Sequence, residues 1–167
     1  MKMQPKLVAQ ARLDTPLGPM TAAATDRGLA GLWFDGQAHH PGPLDAPNDP
    51  SQRWLVAAAV ALAAYFDGKP VAKALPLDLH GTPFQRAVWQ ALQALPAGST
   101  ATYAQIATHA GSPAGVRAAG AAIGRNPVSV LVPCHRVVGS DGSLTGYAGG
   151  LARKRALLRH EGVAVAA

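Results

Sequence analysis

The chain has one cysteine in 167 residues, and it sits in Val132-Pro133-Cys134-His135-Arg136-Val137. A cysteine attacks as its thiolate, which forms where positive charge and hydrogen-bond donors surround the sulfur. His135 is an adjacent proton acceptor, Arg136 adds a cation, and Pro133 fixes the backbone entering the motif. Asn126-Pro127 stand a few residues upstream. Together these residues describe an activated nucleophile. A plainer reading stands beside it, because free cysteine is among the most buried residue types and often only packs. Glu161 is the other residue of interest. It closes the last helix of the sequence, where an acidic charge opposes the macrodipole. That placement suggests a purpose, with a solvated helix end as the alternative. A single cysteine excludes an internal disulfide and a Cys-rich zinc site. His39-His40 have no companion ligands and read as part of a solvated loop.

Charge suggests a partner. Residues 1–80 hold seven Lys/Arg and seven Asp, whereas residues 81–167 hold eight Lys/Arg against Asp141 and Glu161. The whole surplus of +6 therefore lies with the cysteine. A basic half suits a polyanion, most simply nucleic acid. No apolar run reaches the roughly 20 residues of a membrane span. Met1 to Lys6 lack the apolar core of a signal peptide, so a reducing, cytoplasmic setting is expected.

The elements that must carry these residues fall into two groups. In the first, Val8–Leu13, Met20–Thr25 and Leu29–Phe34 read as strands joined by the turns Thr15–Gly18 and Asp26–Gly28, an antiparallel meander. Residues 35–50 read as loop. Ser51 is placed to cap a helix to about Phe66, with Trp54, Leu55, Ala58, Leu62 and Phe66 on one face. Val71–Leu79 reads as an extended connector. In the second group, Thr82-Pro83 opens a helix with the stripe Phe84, Val88, Leu92 and Leu95, and with Trp89 on its flank. Thr102 and Gln105 form a capping box for a short helix to about His109. Gly111 makes a turn, and Ser112-Pro113 starts a helix to about Gly124. That pair is either a helix-turn-helix or an ordinary helical corner. The second helix offers one long polar side chain, Arg117, among small residues, which suits backbone approach and a wedge more than base reading. Leu144–Gly150 is a small-residue loop. The last helix, Leu151 to about His160, carries Arg153, Lys154, Arg155 and Arg159, with Leu151, Leu157 and Leu158 for the core.

In this order, Gly81-Thr82-Pro83-Phe84-Gln85, Thr102-Tyr103, Arg117-Ala118, Asn126-Pro127, Pro133-Cys134-His135-Arg136-Val137 and Gly146-Tyr147-Ala148-Gly149-Gly150-Leu151 closely resemble the O6-alkylguanine-DNA alkyltransferases. The match is dense over residues 80–162 and looser before them. The resemblance implies an α+β protein. Residues 1–79 would form a small antiparallel sheet plus helix, ribonuclease H-like. Residues 80–167 would form a mostly helical domain with a winged helix-turn-helix.

It also implies direct-reversal repair, in which the alkyl group of O6-alkylguanine, and of O4-methylthymine, moves irreversibly from duplex DNA to Cys134 after base flipping. In that scheme His135 withdraws the thiol proton through a water and Glu161 orients His135. Tyr103 hydrogen-bonds the leaving base, and Asn126 holds the turn before the cysteine. Arg117 fills the vacated stack, and Ala118, Thr102, Arg125 and Arg136 join it on DNA. Tyr103, Val132, Ser129, Tyr147 and Ala148 line the base pocket. Ser129 stands where some relatives carry proline, which suggests a more open wall. No cofactor or metal is implied, and the expected species is a monomer acting on alkylated double-stranded DNA. A lesion-sensing or regulatory helix-turn-helix protein is the alternative. A cysteine hydrolase is a third reading, though it gives the basic half no role.

Overall fold

Short apolar runs punctuated by glycine and proline set the first half of the chain. In the computed structural model, which describes residues 5–71 and 75–165, β1 (Ala9–Leu13), β2 (Met20–Ala24) and β3 (Leu29–Phe34) pair antiparallel in that order. Met20 lies opposite both Leu13 and Phe34, and the register slips at Ala23/Ala24. Residues 1–4 of the charged N-terminal stretch and 72–74 of the connector lie outside the described residues.

Helix α1 (Arg53–Phe66) lies on this sheet through Leu55, Ala58, Ala61, Leu62 and Tyr65. Trp54 and Phe66, expected on that face, are only half-buried. The cap differs too: Gln52 Oε1 accepts from the Trp54 and Leu55 amides at 2.8 and 3.1 Å, while Ser51 donates to Asp49. Burying Met20, Leu29, Leu32, Phe34 and Leu55 contributes roughly 1.5–3 kcal/mol per large side chain before entropy is counted.

The loop 35–50 and the connector are both used by the sheet. Gln10 bridges Asn48, and Leu29 bridges Leu77 through Leu29 N–H to Pro76 O at 2.9 Å and Asp78 N–H to Leu29 O at 2.8 Å. Gly28 permits the second approach, since a Cβ there would sit 2.5 Å from Pro76 O. Asp78 then accepts from Thr25 Oγ1 and pairs with His80. Contacts divide the chain into two compact units, Met1–His80 and Gly81–Ala167.

The second unit is mainly helical. Helices α2 (Pro83–Gln93) and α3 (Tyr103–His109) each begin with a reciprocal capping box, Thr82 with Gln85 and Thr102 with Gln105. The Thr102 box is legible in the sequence because it is local, and the Thr82 helix start proves to be a second box of the same kind. Trp89 is part of the core rather than its flank: it is buried with Val88 and Leu92, and its indole N–H donates to Ala122 O at 2.8 Å. That bond ties α2 to α4 (Val116–Gly124).

Helix α4 begins later than Ser112-Pro113 suggests. Gly115 N–H returns to Ser112 O at 2.8 Å, closing a turn, and Gly115 is the cap. After a 3₁₀ turn at Cys134–Arg136, β5 (Val137–Val138) pairs in parallel with β4 (Ala101–Thr102), an element the sequence did not announce. Helix α5 (Leu151–His160) follows Gly150, whose φ of +91° suits glycine. Leu151, expected in the core, is 43% exposed. Lys154 takes an inward place instead. No helix among the described residues is long and apolar enough to cross a membrane.

Candidate active site

Cys134 is presented by a backbone that local preference alone would not choose. Asn126 is buried and braces the segment on both sides. Its Nδ2 donates to Val132 O at 2.8 Å and Val128 O at 3.3 Å, and its Oδ1 accepts from Val128 N–H at 3.0 Å. Between these ties Val130 holds φ at +71°, a left-handed setting that is costly for a β-branched residue. The strain is sustained by the Asn126 bonds and by burial of Val128, Val130 and Val132. Pro133 then leads into the 3₁₀ turn that carries the sulfur. Cys134 is 4% exposed. Burial pushes its thiol up from the ordinary value, while Asn126 and the positive charge of Lys154 pull it down.

The next two residues share one carboxylate. His135 Nε2 lies 2.6 Å from Glu161 Oε2; Arg136 Nε reaches Oε1 at 2.7 Å and its Nη2 reaches Oε2 at 3.0 Å. Arg136 Nη1 also donates to Leu95 O at 2.6 Å. Glu161 is the last cap of α5, and its side chain is only 2% exposed. The helix end that opposed a free acid is offset by a bidentate guanidinium. An ionised Glu161 accepts, so the His135 proton sits on Nε2 and the Nδ1 lone pair remains basic. Burial holds His135 below its usual pKa, partly countered by Glu161, and so keeps the ring neutral. A neutral imidazole held by a buried carboxylate thus follows the sulfur directly along the chain, and these are the residue types that a nucleophile–base–orienter relay uses.

The loop before α5 is fastened from two directions. Tyr103 OH shares a hydrogen bond of 2.7 Å with Thr145 Oγ1. Lys154, 1% exposed, donates from Nζ to Thr145 O at 3.1 Å and Gly146 O at 3.4 Å. Tyr147 follows, half-buried, its ring edge-on to His135 with centroids 6.5 Å apart.

The residues singled out in the sequence separate by depth. Cys134, His135, Asn126, Ser129 and Val132 are buried, and Tyr103, Tyr147 and Ala148 are half-buried. Arg117, Ala118 and Arg125 are exposed on or just after α4. Thr102 spends its hydroxyl on the α3 cap. Arg136, expected among the DNA contacts, is turned inward because Glu161 and Leu95 O use its donors. Lys154, one of the four cations of the last helix, is buried where the sequence offers only leucines for the core. Its burial is a tertiary choice, and its only sequence signal was a place seven residues before Glu161 on the same helix. Among the described residues no three His, Cys, Asp or Glu gather at one point.

Comparison with known proteins agrees across both units. The family model described as "6-O-methylguanine DNA methyltransferase, DNA binding domain" matches residues 83–163, and that described as "6-O-methylguanine DNA methyltransferase, ribonuclease-like domain" matches residues 8–79. A methylated-DNA–protein-cysteine methyltransferase of Mycolicibacterium paratuberculosis is 44% identical over 149 residues, covering 89% of each chain. One of Methanosarcina barkeri is 43% identical over 152 residues, covering 89% of this chain and 94% of the other. Among solved structures, Mycobacterium tuberculosis OGT in complex with DNA superposes with a TM-score of 0.84 at 42% identity, covering 92% of each chain.

Proposed function

The chain belongs to the 6-O-methylguanine DNA methyltransferase family; it performs direct-reversal DNA repair by alkyl transfer to a protein cysteine, and we propose that the acceptor is Cys134. The observation that supports this reading is the buried His135–Glu161 pair at 2.6 Å directly after the chain's sole thiol in sequence, which we read as a Cys134–His135–Glu161 relay.

The step balances simply. The Cys134 proton passes to His135 Nδ1, directly or through one water, while Glu161 holds the Nε2 proton and stabilises the resulting imidazolium. Sulfur forms a bond to the alkyl carbon on guanine O6. The carbon–oxygen bond breaks, its electron pair leaves with the base, and the base takes up one proton at N1, so that in net the proton lost by Cys134 restores neutral guanine and His135 returns to its neutral form. Tyr103 donates a hydrogen bond to that base as charge develops. The products are an unmodified guanine and an S-alkyl cysteine, and the thioether is final, so each molecule acts once. O4-methylthymine fits the same chemistry.

Helices α3 and α4 act in this proposal as a helix-turn-helix. The small side chains of α4 let its backbone approach DNA, with Arg117 entering the stack as the base leaves. Ala118, Arg125 and Thr102 lie at that surface, and Ser129, Val132, Tyr147 and Ala148 bound the base. Arg136 serves Glu161 instead of DNA. The protein acts as a monomer in the cytoplasm, where a lone reactive thiol stays reduced.

Incubation with equimolar duplex carrying O6-methylguanine tests the reading. One methyl mass is expected on the Cys134 peptide, with no second turnover and none in Cys134→Ser. Repeated turnover, or repair by Cys134→Ser, overturns it. A sequence-reading regulator in which Cys134 only packs would leave the orientation of His135 by Glu161 without a task.

A further inference from the structure

Thr145 makes a contact that the relay does not use. Its Oγ1 lies 2.7 Å from Tyr103 OH, and either oxygen can be the donor. The direction matters, because a phenol has one proton and Tyr103 must spend it on the departing base. If Tyr103 donates to Thr145, the base meets only lone pairs. If Thr145 donates, the phenol proton stays available.

The surroundings leave that proton as the one freedom still to be fixed. Tyr103 opens α3 directly after the Thr102 cap, so the capping box sets its backbone. Its ring leans on α4 at Gly120, where an added Cβ would lie 3.6 Å from Cδ1 and 3.9 Å from Cε1. A phenolic O–H lies in the plane of its ring and points to one side or the other, and packing of the ring does not choose between them. On the loop side, Lys154 Nζ donates to Thr145 O at 3.1 Å and so fixes the main chain that carries the threonine hydroxyl. A hydroxyl donating from there occupies one side of the Tyr103 oxygen and turns the phenol proton to the other. It also polarises the phenol, since hydrogen bonds in a chain strengthen one another. Thr145 is exposed, so water can meet its lone pairs and it has no need of the Tyr103 proton.

Resting on the alkyl-transfer reading, we propose that Thr145 is a positioning residue of that site: its hydroxyl donates to the Tyr103 oxygen and keeps the phenol proton directed at the departing base. Thr145 touches neither the alkyl group nor the base. Tyr103 remains the group that meets the developing charge.

Single-turnover transfer to Cys134 is measured over a range of methylated duplex concentrations. The proteins are wild type, Thr145→Val, Thr145→Ser, Thr145→Asp, Tyr103→Phe and Thr145→Val combined with Tyr103→Phe, each checked for folding by its urea midpoint. Thr145→Val keeps the shape and loses the donor. It should slow saturated transfer about tenfold, part of the about 10²–10⁴ that a positioned proton donor contributes. Its half-saturating duplex concentration should stay within about twofold of wild type. Thr145→Ser should return the rate to within about threefold of wild type. Added to Tyr103→Phe, Thr145→Val should cost less than about twofold more. Thr145→Asp decides the direction of the bond. Ionised at neutral pH, it can only accept. It should therefore transfer at least as slowly as Thr145→Val, although Tyr103 still has a partner there.

A folded Thr145→Val within about twofold of wild type overturns the proposal. So does a Thr145→Val deficit that persists undiminished on Tyr103→Phe, because Thr145 then acts without Tyr103. Thr145→Asp transferring as fast as wild type overturns it too, since the contact then only fastens the loop. Wild type that acquires no methyl group refutes the repair reading itself, and the proposal falls with it.

Discussion

Replacing Glu161 by Gln separates the chemistry of the relay from its contribution to stability. The carboxylate accepts three hydrogen bonds, from His135 Nε2, Arg136 Nε and Arg136 Nη2. An amide keeps one acceptor oxygen and turns an NH₂ toward the remaining donors. With side chains 2% and 11% exposed, the pair is buried, so the small values of surface ion pairs do not apply. Removing one partner of a buried pair costs about 3–5 kcal/mol, a large share of the about 5–15 kcal/mol that holds a domain together. The orienting carboxylate of a nucleophile–base relay is worth on the order of 10⁴ in rate.

Glu161→Gln should therefore lower the urea midpoint clearly and slow single-turnover methyl transfer by 10³ or more, within about tenfold of that estimate. Adding Arg136→Met removes the stranded cation. The double variant should regain most of the stability and none of the rate, because His135 still lacks its orienter. The assay is methyl mass on the Cys134 peptide against time at saturating duplex, in conditions where circular dichroism shows each variant folded. If folded Glu161→Gln transfers within about threefold of wild type, under ~1 kcal/mol of barrier, Glu161 is structural only and the relay is wrong. Recovery of rate in the double variant refutes it equally.

Asn126→Ala removes the brace on both sides of Val130 and orphans buried groups; a loss of about 2–4 kcal/mol by urea denaturation is expected, with transfer nearly abolished. Tyr103→Phe breaks only the bond to Thr145 and should change stability by less than about 1 kcal/mol, while slowing transfer on the order of 10². Arg117→Ala is exposed and should leave the unfolding midpoint within about 0.5 kcal/mol of wild type. It should impair repair in duplex more than reaction with a free base analogue, and equal loss on both contradicts its role in the stack. His135 is held below its unfolded value of 6.5, so the unfolded chain binds the extra proton first. Stability should be full above pH 6.5 and decline as pH falls below it, and His135→Asn should flatten that slope in urea titrations from pH 7.5 to 5.

What the sequence disclosed was what depends on neighbours along the chain. The β3 limits, Leu29–Phe34, the Thr82-Pro83 helix start and the Thr102 capping box rest on residues within a few positions of each other. Local signals also misled: Ser112-Pro113 has the form of a helix start, yet Ser112 O is taken by Gly115 N–H and the helix waits for Val116. Gln52 caps α1 although Ser51 is the commoner cap. The inward turns of Arg136 and Lys154 were illegible, because a cation's burial is decided by partners 25 and nine residues away. The His135–Glu161 pairing was expected only through family resemblance. The left-handed Val130 had no signal at all, since it is imposed by Asn126 and the packing around it.

The two single bridges beside the small sheet decide how the protein tolerates being cut. A three-stranded sheet has two outer strands, each a row of unpaired amides and carbonyls able to recruit a strand from another molecule. Asn48 occupies that row at Gln10, and Leu77 occupies it at Leu29. A fragment ending at residue 71 leaves the outer row of β3 open and should aggregate on expression. One ending at His80 keeps its own selvedge and should stay dispersed.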